Sequence, residues 1–323
     1  MKNQEGEAGG TMLVAVQQAG PNEYALGHSD RELDRLSMQA QTFDAFTRPL
    51  LREAGLGSGM RVLDVGCGSG DVAFLAAQLV GPTGCVIGVD RTAAAIARGR
   101  SRAESKRISN VHFVKGDPTQ MKFDKDFDAL VGRLILMYYP DPVDALRKLL
   151  PHLRPGGIVV FQEIDASGCK SHPVSPTYQR CVDWITQTFH LTGAQTQAGL
   201  ELPRTFQSAG LPAPTLRLDA AVGAGPDTPA YKMLPEIVRS LLPAMERIGI
   251  ATAAEVEVES LALRIRDEVV ANNGIVISPS LIGAWATHET ATIKRNGNPM
   301  PKSMNELRSR FTNVRSRGLV LPR

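Results

Sequence analysis

No apolar run in this 323-residue sequence approaches the roughly 20 residues a membrane span needs, so no membrane partner is expected. Cysteine is scarce: Cys67, Cys85, Cys169 and Cys181 lie scattered, with no CxxC pair and no metal-ligand spacing. That excludes a zinc ribbon and a disulfide scaffold and reads as reduced, mostly buried thiols; no metal is expected. Aromatic residues make up only 5% of the chain and the net charge is only +3. Without a basic surface interleaved with aromatics, nucleic acid is not an expected partner. Met1 to Gly10 is polar and glycine-rich without an apolar stretch, so a secretory signal is not expected and the cytoplasm is the expected compartment. No internal repeat is found.

What is present is an ordinary globular composition, 43% hydrophobic and 21% charged, organised around Arg61-Val-Leu-Asp-Val-Gly-Cys-Gly-Ser-Gly-Asp71. Val62 to Val65 read as a short buried strand, Gly66, Gly68 and Gly70 as the turn that leaves it, and Val72 to Val80 as an apolar helix. Glycine tolerates positive φ and lets a ligand approach the backbone, and the helix that follows aims free N–H groups at it.

Strand and helix patterns then alternate: GCVIGVD (Gly84 to Asp90), a helix over Thr92 to Arg107, VHFVKGD (Val111 to Asp117), and a strand within Phe127 to Tyr138. Asp141 and Pro142 sit at N-cap and N1 of a helix to about Leu153, followed by the strand Gly156 to Asp165. This pattern predicts an α/β fold, doubly wound and Rossmann-like, with ligand sites at the carboxyl ends of the strands. Before the loop, residues 1–22 read as disordered and 23–57 as a helical cap. There Ser29 and Glu32 form a capping box, and Pro49 is expected to kink the helix or start a second one. After the core (58–225) come helices over Pro176 to Gly193 and Pro203 to Gly210 and a strand in Thr215 to Val222. Two more, Pro229 to Gly249 and Thr252 to Asn273, form an expected helical lid insertion (226–273). Final core strands are expected in 274–293. Residues 294–323 carry eight Lys or Arg against Glu306 alone, a basic extension that reads as solvated or packed on a partner.

Which nucleotide the loop takes turns on spacing. A dinucleotide fingerprint is G-x-G-x-x-G; here it is G-x-G-x-G, with Asp64 two residues before the first glycine. Asp90 ends the second strand, where a carboxylate can accept both ribose hydroxyls. Asp117 ends the third, where an acid can accept from an adenine amino group. VLDVGCGSG, VIGVD, VKGD and the segment LILMYYPDPVDALRKLLPHLRPGG together resemble the class I S-adenosylmethionine-dependent methyltransferases. The similarity is to the small-molecule branch that includes the ubiquinone and menaquinone biosynthesis enzymes, over about Met60 to Asp165. The resemblance implies a mostly parallel seven-stranded sheet and S-adenosyl-L-methionine as cofactor, with S-adenosyl-L-homocysteine as product. It implies that Gly66, Cys67, Gly68 and Gly70 flank the methionine and ribose portion and that Asp90 holds the ribose. Gly116, Asp117 and Pro118 would hold the adenine, and Arg91 would line the adenosine edge. Asp64 would orient the loop or reach the methionine amine through water, and Arg133 would pair the cofactor carboxylate or offer only a backbone contact.

Methyl transfer from a sulfonium is an in-line displacement in which a strong base is optional. Tyr138, leaving the fourth strand, and His28, before the first helix, are the candidate catalytic residues. Tyr24, Tyr139, Glu163, Asp165, His172, Tyr178 and His190 are further titratable groups, with Tyr139 expected to pack under the following helix. Leu234, Ile237, Leu241, Leu242, Met245 and Ile248 form an apolar face, which is either plain core or the wall of a pocket for a fairly apolar small metabolite, in secondary or quinone-like metabolism. A non-methylating adenosylmethionine-binding protein stays open as an alternative, because binding motifs and transfer chemistry are separable. So does a homodimer.

Overall fold

The computed structural model describes residues 43–124 and 126–289. Tyr24, His28, the Ser29 and Glu32 capping box and the basic stretch from Lys294 lie outside the described residues. The first described element, α1 (residues 43–53), runs through Pro49 without a new start there. The proline removes one N–H from the ladder. Burial of Phe43, Thr47, Leu50 and Leu51 against the sheet keeps the turn in place.

The expected alternation follows as β1 (Arg61–Val65), α2 (Asp71–Val80), β2 (Cys85–Asp90), α3 (Ala93–Ser105), β3 (Val111–Lys115), β4 (Phe127–Arg133), α4 (Pro142–Leu149) and β5 (Leu153–Asp165). At α4 the Asp144 N–H donates to the Asp141 carboxylate at 2.9 Å, with Pro142 at the first helical position, as read from the sequence. The main sheet has seven strands in the order β3-β2-β1-β4-β5-β10-β7. The first five are parallel; β10 (Ser280–His288) runs antiparallel between β5 and β7 (Thr215–Asp219). Helices cover both faces, which is why the central strands are apolar on both sides. Leu50, Val62, Phe74 and Phe113 belong to the core under α1 to α3. Leu63, Leu146, Phe161, Leu202 and Phe206 belong to the core under α4 and α6 (Ala198–Ser208). The fold is α/β, Rossmann-like and doubly wound.

A third layer joins α5 (Pro176–Thr192), α7 (Ala230–Ile248), α8 (Ala253–Val256) and α9 (Leu261–Ala271) around one apolar cluster. A small antiparallel sheet of β6 (Lys170–His172), β9 (Ile275–Ile277) and β8 (Val222–Ala224) backs it. Three local readings change here. Ile275–Ile277 pairs in this small sheet, and β10 alone of the late strands enters the main one. The helix expected over Thr252 to Asn273 is two helices, broken at Glu257, whose φ is +46°. Val256 and Leu261 both enter the same apolar cluster, and five residues of continuous helix would set them about 140° apart. The predicted capping box of Thr252 and Glu255 is present. α6 begins at Ala198, not Pro203, because Gly199 lies against β5: a Cβ there would stand 2.9 Å from the Glu163 carbonyl oxygen.

Candidate active site

Crossovers of one hand bring the carboxyl ends of β1, β2, β3 and β4 to one edge of the sheet, and with them Asp64, Gly66 to Gly70, Asp90, Arg91, Gly116 to Pro118, Arg133 and Tyr138. Gly66, Gly68 and Gly70 all have positive φ (66°, 52° and 93°). Two of them are also sterically obligatory: a Cβ at Gly66 would overlap the Ile135 side chain, and one at Gly70 the Phe113 ring. Gly68 is different, with open space where its Cβ would stand. The backbone there is bare toward the crevice. Cys67 is buried beneath the loop with its sulfur against Gly88, and burial pushes its thiol well up, so it packs as an inert side chain.

Asp90 closes the turn. Its carboxylate accepts the Gly68 N–H at 3.0 Å and the Thr92 N–H at 2.8 Å, tying the second glycine to the start of α3. One donor per oxygen leaves lone pairs for two hydroxyls. Asp117, two residues past β3, accepts from the Thr119 N–H and hydroxyl on one oxygen and from Gln120 and Arg91 on the other. Burial pushes its carboxyl up, but the Thr119 bonds and Arg91 outweigh that and hold it below the ordinary range. The Arg91 guanidinium also lies over the Tyr139 ring, 5.3 Å from its centroid. Burial and the Asp117 charge push the Tyr139 hydroxyl up to about 12, so it stays a neutral donor.

Adjacent in sequence, the two tyrosines part company. Tyr138 packs against the helical third layer, whereas Tyr139 packs on the core beneath α4 and α6 and meets Arg91 at the crevice. Of the other titratable groups, His172 and His190 are exposed. Tyr178 is buried, donating to the Ile277 carbonyl at 2.9 Å, and Asp165 accepts from the Ser167 N–H and hydroxyl. Leu234, Ile237, Leu241 and Met245 are packed core of the third layer, with Leu242 at its margin.

At the other end of the crevice α1 covers β4 and β5 with a polar cluster that the sequence did not reveal. Arg133, its side chain only 8% exposed, donates to Asp44 at 3.1 Å and to the Thr47 hydroxyl at 2.9 Å. The Thr47 hydroxyl stands 2.7 Å from Gln162 Oε1. Asp64 is buried beside this cluster, and burial raises its carboxyl to about 8 in spite of Arg133. Among the described residues Asp64 Oδ2 and Gln162 Nε2 have no hydrogen-bond partner. A buried carboxyl oxygen and a buried amide nitrogen left unpaired near a guanidinium are costly to the free protein. The signal was a polar residue at the inward end of an apolar strand (Gln162 in VVFQEID) and a polar pair one helical turn apart (Asp44 and Thr47).

Fold and crevice together define a Rossmann-like protein whose glycine loop and strand-end acids share one edge of the sheet. Comparison with known proteins narrows the class. Residues 56–210 match the family described as methyltransferase domain. The demethylmenaquinone methyltransferase of Staphylococcus aureus is 28% identical over 206 residues, which cover 56% of this chain and 80% of that one. A solved structure from Bacillus halodurans, assigned to the methyltransferases, shares the fold with a TM-score of 0.52 at 18% identity, covering 75% of this chain and 98% of that one. Residues 56–210 are thus a methyltransferase-like domain, and these similarities support a class I S-adenosylmethionine-dependent methyltransferase. No helix among the described residues is long and apolar enough to cross a membrane, and no group of three or more metal-ligating side chains occurs among them.

Proposed function

We propose that this chain binds S-adenosylmethionine along β1 to β4 and directs its methyl group to an O, N or C atom of a small, fairly apolar metabolite. The observation that carries the reading is the pair of unpartnered buried groups, Asp64 Oδ2 and Gln162 Nε2, flanking Arg133 at one end of the bare Gly68 backbone. A carboxyl group that can ionise, an amide donor and a cation in one place suit the ammonium and carboxylate of an amino acid. Asp90, with spare lone pairs, would hold the ribose, and Asp117 would face the adenine. The bound sulfonium supplies the electrophilic methyl group. The protein's part is to orient the acceptor and exclude water, which needs no strong base.

The acceptor side is the boundary between the turn after β4 and the third layer. Leu134, Met137 and Tyr138 of that turn and Ile164 of β5 join the apolar cluster of that layer. Such a wall favours an apolar acceptor, and a relative named for acting on demethylmenaquinone supports a quinone-like one. In this reading α7 to α9 serve as the lid and Tyr138 is the best-placed hydroxyl to touch the acceptor. Titration calorimetry with S-adenosylmethionine and with NAD tests cofactor choice; binding of NAD alone would overturn it. Incubation of the chain with methyl-labelled cofactor and a quinol panel tests transfer, with label expected in the quinol fraction. Tight cofactor binding with no label moved to any small molecule in a cell extract would favour a non-methylating protein.

A further inference from the structure

Glu163 lies at the end of β5, wholly buried, and neither the cofactor contacts nor the acceptor wall uses it. Its Oε1 accepts two consecutive backbone amides of the turn that leaves β4, Ile135 at 3.0 Å and Leu136 at 2.8 Å. Oε2 has no partner among the described residues. The turn needs holding. Leu134 has φ +53°, a left-handed conformation costing roughly 1–2 kcal/mol for a residue with a Cβ, and its own N–H is pinned by the Gln162 carbonyl at 2.9 Å. What the turn presents matters on both sides of the crevice. The Ile135 side chain fills the space over Gly66, Met137 and Tyr138 enter the third layer, and Tyr139 meets Arg91.

We infer that Glu163 is a positioning residue that clamps the turn after β4 from below, so that Ile135 presses the glycine loop into its ligand-binding shape while Tyr138 and Tyr139 diverge toward acceptor and cofactor. The inference rests on the cofactor site proposed above. A carboxylate suits the task because one oxygen can take two amides at once, with more strength than a neutral carbonyl. Burial pushes the group up to about 7, against the pull of the Ile135, Leu136 and Met137 amides. Glu163 thus keeps its place at a cost that a purely apolar core position would not carry.

The test compares Glu163→Gln, which keeps a carbonyl acceptor, with Glu163→Leu, which keeps volume but accepts nothing. Hydrogen exchange of the 134–139 peptide should stay slow in wild type and Glu163→Gln and speed up about tenfold or more in Glu163→Leu. Affinity for S-adenosylhomocysteine should fall about tenfold in Glu163→Leu and stay within about threefold of wild type in Glu163→Gln. Unchanged affinity in a folded Glu163→Leu, or no rescue by Gln, overturns the inference. Should Glu163→Leu not fold, Ile135→Ala keeps the carboxylate and its amides and removes only the contact on Gly66. Affinity must then drop with exchange at Leu136 unaltered, and an unaltered affinity overturns the inference equally. Failure of wild type to bind S-adenosylhomocysteine would instead strike the cofactor reading, while the exchange comparison still reports on the clamp.

Discussion

Arg91 and Asp117 close on each other across the tips of β2 and β3: Arg91 Nη2 donates to Asp117 Oδ2 at 2.7 Å. With Gln120 on the same oxygen and Thr119 twice on the other, all four acceptor positions of this carboxylate are taken. An adenine amino group can reach Asp117 only by displacing a donor, and the half-exposed Arg91 is the cheapest to move. Arg91→Met should therefore tighten S-adenosylhomocysteine binding by up to about fivefold, the worth of a surface ion pair. Calorimetry at two salt concentrations checks it, since added salt should help wild type more than the variant. Weaker binding by Arg91→Met would mean that Arg91 itself contacts the nucleotide.

Asp64 makes proton uptake and release readable. Burial raises its folded value to about 8, far above the ordinary carboxylate, with Arg133 opposing and Asp90 and Asp71 adding to the rise. A raised acid contributes stability that is full below its unfolded value and is lost as pH climbs through about 8. The ligand-free protein should lose thermal stability over that range, and Asp64→Asn should flatten the profile. An incoming ammonium favours the ionised form, so S-adenosylhomocysteine binding at pH 7 should release protons from Asp64. Calorimetry in buffers of differing ionisation enthalpy measures that release, which should vanish in Asp64→Asn.

Gly68 and Gly70 should fail in different ways. Gly70→Ala meets the Phe113 ring at φ +93°, and the expected loss of stability is about 2–4 kcal/mol, visible in denaturant unfolding. Gly68→Ala has room for its Cβ and carries only the left-handed strain, about 1–2 kcal/mol. It should fold, yet bind S-adenosylhomocysteine at least about tenfold more weakly because the methyl group occupies the bare face of the loop. Equal affinity would place the ligand elsewhere.

Asp90→Ala should weaken the same ligand by more than about tenfold, or 1.4 kcal/mol. The ribose contacts are only part of the reason: Gly68 and Thr92 also lose the carboxylate that joins them. Asp90→Asn, which can still accept at one oxygen, should lose less. Calorimetry on the pair separates the two contributions, and an Asn variant as weak as Ala would assign the whole effect to charge.

Local physics makes much of this protein legible in its sequence. The period of apolar residues in VLDV and VIGV, the glycines at 66, 68 and 70, and the caps at Asp141 and Thr252 depend on neighbours a few residues away, and each lies where it was expected. The acids at 90 and 117 are readable for the same reason: Asp90 ends a strand, Asp117 follows one by two residues, and parallel strands must end on one edge. Less was legible beyond residue 170. There β8 and β9 are three residues long, and a segment so short takes its partner from packing rather than from propensity.

The sequence by itself determined the α/β alternation, the glycine loop and the row of acids, since backbone sterics and periodicity act over one turn or one strand. Tertiary structure alone decided the rest. Thr47 meets Gln162 across 115 residues, Arg133 reaches back 89 residues to Asp44, and Glu163 lies under a turn 28 residues before it. No local pattern encodes such pairings. They exist because α1 is laid over β4 and β5, because α6 is drawn back onto β5, and because a buried polar group must find whatever partner the packed chain brings within reach.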